Sequence, residues 1–157
     1  MKTRYIAAML FAALLCACRV QEKTDSLDAI ARDYVLLSLT IGEKEEGYID
    51  AYYGPPELQA QAKAEAGGQS LGALAKRTAD LSRRVADAGQ GAEGMDQRRA
   101  RFLAAQLTAA ATRLRMLRGE MLSYEEEVQG LFGLRAALRP LSSFDPLLAR
   151  IETLVPG

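Results

Sequence analysis

The chain is predicted to be all-α, a helical bundle of about five to six helices, and three observations carry that prediction. Apolar residues recur at i, i+3, i+4 and i+7 through most of the chain, which is the period of one helix face. The breaks between those runs hold helix punctuation, with serine or aspartate ahead of a run and glycine or proline behind it. No stretch reads convincingly as a strand.

The first residues are of another kind. Lys2 and Arg4 make a positively charged start, Tyr5 to Leu15 is an apolar run, and Ala17 is the small residue that signal peptidases require. The run stops at Arg19, after about half of the ~20 residues that a hydrocarbon span needs, so it reads as an export signal and not as a permanent helix. Leu15-Cys16-Ala17-Cys18 resembles the lipobox of bacterial lipoproteins. That resemblance implies a signal peptide at 1–17, cleavage ahead of Cys18, and lipidation of Cys18 with palmitate-type acyl chains. Each methylene buried in the membrane would contribute ~0.8 kcal/mol to holding the protein there. Arg19 follows the cysteine where aspartate accompanies inner-membrane retention. The resemblance therefore implies an outer-membrane location facing the periplasm, or the cell membrane if the source is Gram-positive. Cleavage without lipidation, or a short uncleaved anchor, is the alternative.

Removal of residues 1–17 leaves 140 residues with 18 basic and 20 acidic side chains, Lys2 and Arg4 having gone with the signal. That length suffices for a domain with its own core. The near-neutral balance gives no electrostatic reason to expect nucleic acid or an anionic lipid face as partner. With Cys16 lost and Cys18 acylated, no disulfide can form, and stability must come from packing. Histidine and tryptophan are absent, which removes the commonest general base and the commonest zinc ligand together.

A polar tether over 18–25 leads into the helical domain, 26–157. Helix one runs from Ser26 or Leu27 to Ile41, capped by Asp25 or Ser26, with Leu27, Ile30, Tyr34, Leu37 and Ile41 on one face. Val35, Leu36 and Leu39 widen that face, as suits a helix buried on more than one side. The segment from Glu43 to Glu57 is glycine-bounded, and Gly54-Pro55-Pro56 is a rigid turn that opens helix two through Leu58 to Ala66. Ser70 caps helix three, whose Leu71, Leu74, Thr78, Leu81, Val85 and Ala88 fit antiparallel packing at a small angle.

After the loop Gly89 to Gly94, helix four runs from about Asp96 to Arg118. Its inward residues are Leu103, Leu107, Ala110, Leu114 and Leu117, with Met121 a further candidate. Its arginines, Arg98, Arg99, Arg101, Arg113, Arg115 and Arg118, are assigned mostly to wet faces. Ser123-Tyr124-Glu125-Glu126 is a capping box for helix five, through Val128, Leu131 and Phe132. A short helical turn around Leu134 to Leu138 precedes Pro140. Asp145-Pro146 starts the last helix, with Leu147, Leu148, Ile151, Leu154 and Val155 on its apolar side. The closing Val155-Pro156-Gly157 reads as the opening of a connection, so the domain is expected to be the N-terminal part of a larger fold.

Three motifs invite chemistry. Gly68-Gln69-Ser70-Leu71-Gly72 matches the nucleophile elbow, but it lies between helices with no histidine to take the serine proton, and capping explains Ser70. Glu125-Glu126-Glu127 stands where a helix dipole favours negative charge, and consecutive helical residues point about 100° apart, so a capping role outweighs paired acid-base work. The acids of 43–57 beside several tyrosines make a possible binding segment of Tyr48, Asp50, Tyr52, Tyr53 and Glu57. Carboxylates there could hold calcium or magnesium, but no EF-hand spacing is present and a solvated loop is the plainer reading. Tyr52 and Tyr53, being adjacent, are expected to split between core and surface. No catalytic residue and no metal ligand is assigned.

Three blocks together resemble a known group. Asp50-Ala-Tyr-Tyr-Gly-Pro-Pro-Glu57, Arg101-Phe-Leu-Ala-Ala-Gln-Leu107, and Gly119 to Glu127 with Leu131-Phe-Gly133 are similar to the N-terminal part of a family of uncharacterised helical bacterial proteins. The longer members carry a downstream H-E-x-x-P-G-H-H motif like that of zinc metallopeptidases. The resemblance covers most of residues 30–157 and none of its blocks is catalytic. It implies a non-catalytic helical N-terminal module, truncated before the metallopeptidase-like motif, with zinc confined to the longer relatives. The alternative is a complete small periplasmic lipoprotein that binds a protein or peptide partner through its helical faces.

Overall fold

A computed structural model describes residues 26–135 and 138–155. The signal segment 1–17, the tether 18–25 and with them Cys18 lie outside the described residues, as do positions 136–137 and 156–157. Among the described residues the chain is all-α, with six α-helices and one short 3-10 turn: α1 Leu27–Gly42, α2 Pro56–Ala66, α3 Leu71–Gly89, α4 Gly94–Leu117, α5 Tyr124–Phe132, the 3-10 turn Leu141–Phe144, and α6 Asp145–Leu154.

The helix starts follow from hydroxyl caps. The Ser26 and Ser70 side chains accept from the backbone N–H of Ala29 (3.2 Å) and Ala73 (3.1 Å), so α1 and α3 begin with one orphan donor each satisfied. At α5 the full capping box forms. Ser123 Oγ accepts from Glu126 N–H at 3.2 Å, and Glu126 Oε2 accepts from Ser123 N–H at 2.8 Å. Gly133, at φ +67°, closes that helix in the left-handed region.

Helices α3 and α4 pair along their lengths, and α1 packs against both, with Asp28, Tyr34 and Glu45 meeting Arg99, Gln106 and Arg113 in the same order along α4. Ile30, Leu37, Ile41, Leu74, Leu81, Val85, Leu107 and Leu114 fill the space between them. Because α1 is apolar on a second side, Leu36 and Leu39 are free to make a smaller core with Leu58 and Ala62 of α2. Ion pairs tie the elements at the rim: Arg84 to Asp33 at 2.8 Å, Arg77 to Glu65 at 3.2 Å, and Arg99 to both Asp28 and Asp96.

Helix α5 packs on α4 alone. It comes close because Gly130 faces Thr112, and a Cβ on that glycine would collide with the Thr112 side chain. Beyond it, α6 touches no helix of the bundle and packs only on the 3-10 turn before it.

Two expectations are corrected. Met121 is 94% exposed and not on the inward face, because α4 ends at Leu117 and Gly119, at φ +86°, turns the chain out of the helix. Leu134, Arg135 and Leu138 are not helical; the short turn forms later, at Leu141–Phe144, after Pro140 has set an extended backbone at its own position. Arg113 is partly exposed, in keeping with the wet face expected for these arginines, and also pairs with a carboxylate of the loop after α1, as described next.

Candidate functional site

A concave feature built from several elements is a cleft of about 730 Å³ between α1, the loop after it, α4 and α5. Its walls are Tyr34 and Ser38 of α1, Glu45 to Ile49 of the loop, Gln106, Ala109 and Arg113 of α4, and Leu131 and Phe132 of α5. Each part has a local cause. Tyr34 and Ser38 are four apart on one helix face, and so are Gln106, Ala109 and Arg113 at three and four. The loop turns back after Gly42 through Gly47, which sits at φ +81° where only glycine is unstrained. Gly130 lets α5 settle on α4, which brings Leu131 and Phe132 over the opening.

The polar groups in the cleft divide into used and unused. Glu45 is the more deeply placed partner of a forked pair with Arg113, which donates from Nε at 3.0 Å and from Nη2. Such a fork fixes both groups and cancels their charges. The Glu45 hydrogen bond, first among the causes, raises the Arg113 pKa further. Tyr34 donates to Gln106 Oε1 at 3.2 Å. The Tyr48 phenol is pushed up to about 12, chiefly by burial, with Tyr34 and Glu45 adding to the rise and Arg113 opposing it.

Ser38 is the exception among the buried hydroxyls. Thr40 donates to Leu36 O at 2.7 Å, Thr78 to Leu74 O at 2.8 Å, and Thr112 to Thr108 O at 2.9 Å, each bonding one turn back. The Ser38 hydroxyl is buried, with the residue 7% exposed, and has no hydrogen-bond partner among the described residues. A buried polar atom left unpaired costs on the order of 1–3 kcal/mol.

The binding segment predicted from sequence is scattered by the fold. Tyr48 alone of the five residues lines the cleft. Tyr52 folds back over its own turn, donating to Pro55 O at 3.1 Å, and packs under α1 and α2 with Leu36 and Leu58. Tyr53 is 96% exposed, and Asp50 and Glu57 are also on the surface. Ser38, Tyr34, Gln106 and Arg113 were not singled out as site residues in the sequence, because their meeting depends on how α1 packs along α4. One signal was present: Ser38 interrupts the apolar run from Val35 to Ile41 on the widened face of α1.

Among the described residues no three histidine, cysteine, aspartate or glutamate side chains converge on a point where a metal ion would sit. Likewise, no described helix is long and apolar enough to cross a membrane. No protein-family model, curated protein or solved structure matches the chain. Fold and site together give, among the described residues, an all-α bundle with a mixed polar and aromatic cleft.

Proposed function

We propose that the chain is a membrane-anchored bacterial lipoprotein whose helical domain binds and does not catalyse, serving as the N-terminal module of a larger metallopeptidase-like protein. The observation that carries this reading is the exposed apolar stripe of α6. Leu147, Leu148, Ile151 and Leu154 are between 50% and 75% exposed on a helix that touches no other helix of the bundle. An apolar row of that kind is ordinarily covered by a partner surface. Anchoring rests on the lipobox resemblance at Cys18, and the absence of histidine removes the groups with which a zinc site or a serine triad is usually built.

The test is hydrophobic-dye binding together with hydrogen exchange on the purified protein. The expected result is dye bound in proportion to the stripe and abolished by the pair Leu148→Ser and Ile151→Ser, with residues 145–155 exchanging fast. A protein that binds no dye and protects 145–155 as well as it protects α4 would overturn the module reading. It would favour the second one, a complete small periplasmic lipoprotein that takes a peptide or protein partner, for which the cleft beside Tyr48 is the supporting observation.

A further inference from the structure

The cleft between α1, α4 and α5 has a charge and a polarity that specify a ligand class, independently of whether the protein is anchored. Its lining holds two carboxylates, Glu45 and Glu46, against one guanidinium. Arg113 is paired with Glu45 in a two-donor fork that cancels its charge, so it offers an anion little net attraction. Glu46 makes no ion pair among the described residues. Glu127, on α5, lies near enough to act on the Arg113 charge and adds to the negative balance.

Around these groups stand the aromatic rings of Tyr34, Tyr48 and Phe132 and the apolar side chains of Ile49 and Leu131. Carboxylate beside aromatic faces is the combination that takes an organic cation, by charge and by cation–π attraction. A free carboxylate and rings do not make a site by themselves. Ser38 is the second, separate observation, since the residue lines the cleft and its buried hydroxyl, just beneath the cleft surface, is the one buried side-chain group left without a partner among the described residues. Serine moves between staggered wells about one bond, so a donor entering the cleft can draw that oxygen towards it. A volume of about 730 Å³ falls in the range of pockets for small organic molecules and is far larger than a bare ion requires.

We propose that this cleft binds a small organic cation, an ammonium group on an apolar stem, with the head between the Ser38 hydroxyl and the Glu46 carboxylate and the stem against Tyr48, Leu131 and Phe132. The head donates N–H to both oxygens, which satisfies the orphaned hydroxyl. The stem covers part of the largely exposed Phe132 ring.

The experiment is a titration of the purified protein with n-hexylammonium, followed by calorimetry and by amide chemical shifts, with n-hexanol and hexanoate as matched probes. Saturable binding of hexylammonium is expected, about tenfold weaker binding of hexanol, none of hexanoate, and shifts concentrated at Ser38, Tyr48 and Gln106. Ser38→Ala should weaken hexylammonium on the order of tenfold, as loss of a hydrogen bond to a charge does, without lowering Tm. Glu46→Gln should weaken it about threefold and flatten its salt dependence. An acetylated, amidated Ala-Lys-Leu peptide that binds more tightly than hexylammonium assigns the cation to a lysine side chain. If it binds more weakly, the source is a free amine. Equal binding of hexanol and hexylammonium, shifts confined to other surfaces, or wild-type affinity in either variant would overturn the proposal.

Discussion

Among the described residues, Tyr48 carries a clear pH signature. Its folded pKa of about 12 lies above the ordinary value near 10, so the folded state holds the phenol proton more tightly than the unfolded chain does. The sign follows from linkage. The contribution to stability is fully present below pH 10 and is lost as the pH rises from 10 through 12. Tm should therefore fall across that window, and Tyr48→Phe should fall less steeply; equal slopes for the two proteins would show that Tyr48 does not sense the cleft. Glu126 has the opposite sense. Its carboxylate is held below the usual range by the Ser123 backbone N–H first and by the Ser123 hydroxyl second. Its support for α5 is present above the ordinary glutamate pKa and is lost as the pH falls through the lowered one. Gly130 is a steric matter. Gly130→Ala drives a methyl into Thr112, and overpacking of this kind costs about 1–3 kcal/mol, measurable as a lower urea midpoint.

Helix α5 depends on its ends more than on its middle, for none of its residues is fully buried. Removing the cap by Ser123→Ala should cost about 1 kcal/mol and speed hydrogen exchange over 124–132, leaving α1 to α4 protected. Exchange unchanged in α5 would contradict that assignment. This level of structure was the most legible in the sequence. Ser26, Ser70 and the Ser123–Glu126 pair are local signals that act within one turn; Ser70 and Ser123–Glu126 cap as expected, and Ser26 takes the cap that the sequence left open between it and Asp25. The register of α3 was readable because Leu74, Thr78, Leu81 and Val85 keep one strict face. Met121 and the 134–138 turn were misread because an apolar side chain past a glycine carries no local sign of which way the chain leaves. The cleft was only faintly legible. Tyr48 was marked by its neighbours in sequence, whereas the bonds that build the cleft, Tyr34 to Gln106 and Arg113 to Glu45, join residues 72 and 68 positions apart, and nothing local encodes the packing of α1 on α4.

In the whole molecule, cooperativity is expected to stop before α6. Leu107, fully buried where α1, α3 and α4 meet, should cost about 2–5 kcal/mol when cut to alanine and should lower Tm as a single transition. Ile151→Asp on α6 should stay within about 0.5 kcal/mol, since the side chain is half exposed and its helix rests on the 3-10 turn alone. The same division underlies the functional proposal: a self-sufficient bundle with a cleft, and a trailing apolar helix that is expected to be covered by another surface. Both would be held at a membrane through one residue. The direct measurement is intact mass spectrometry of the protein recovered from bacterial membranes after growth with labelled palmitate. The account predicts a chain that begins at Cys18, carries the label there, and is released from the membrane by detergent but not by salt. A soluble, unlabelled chain that still begins at Met1 would contradict it.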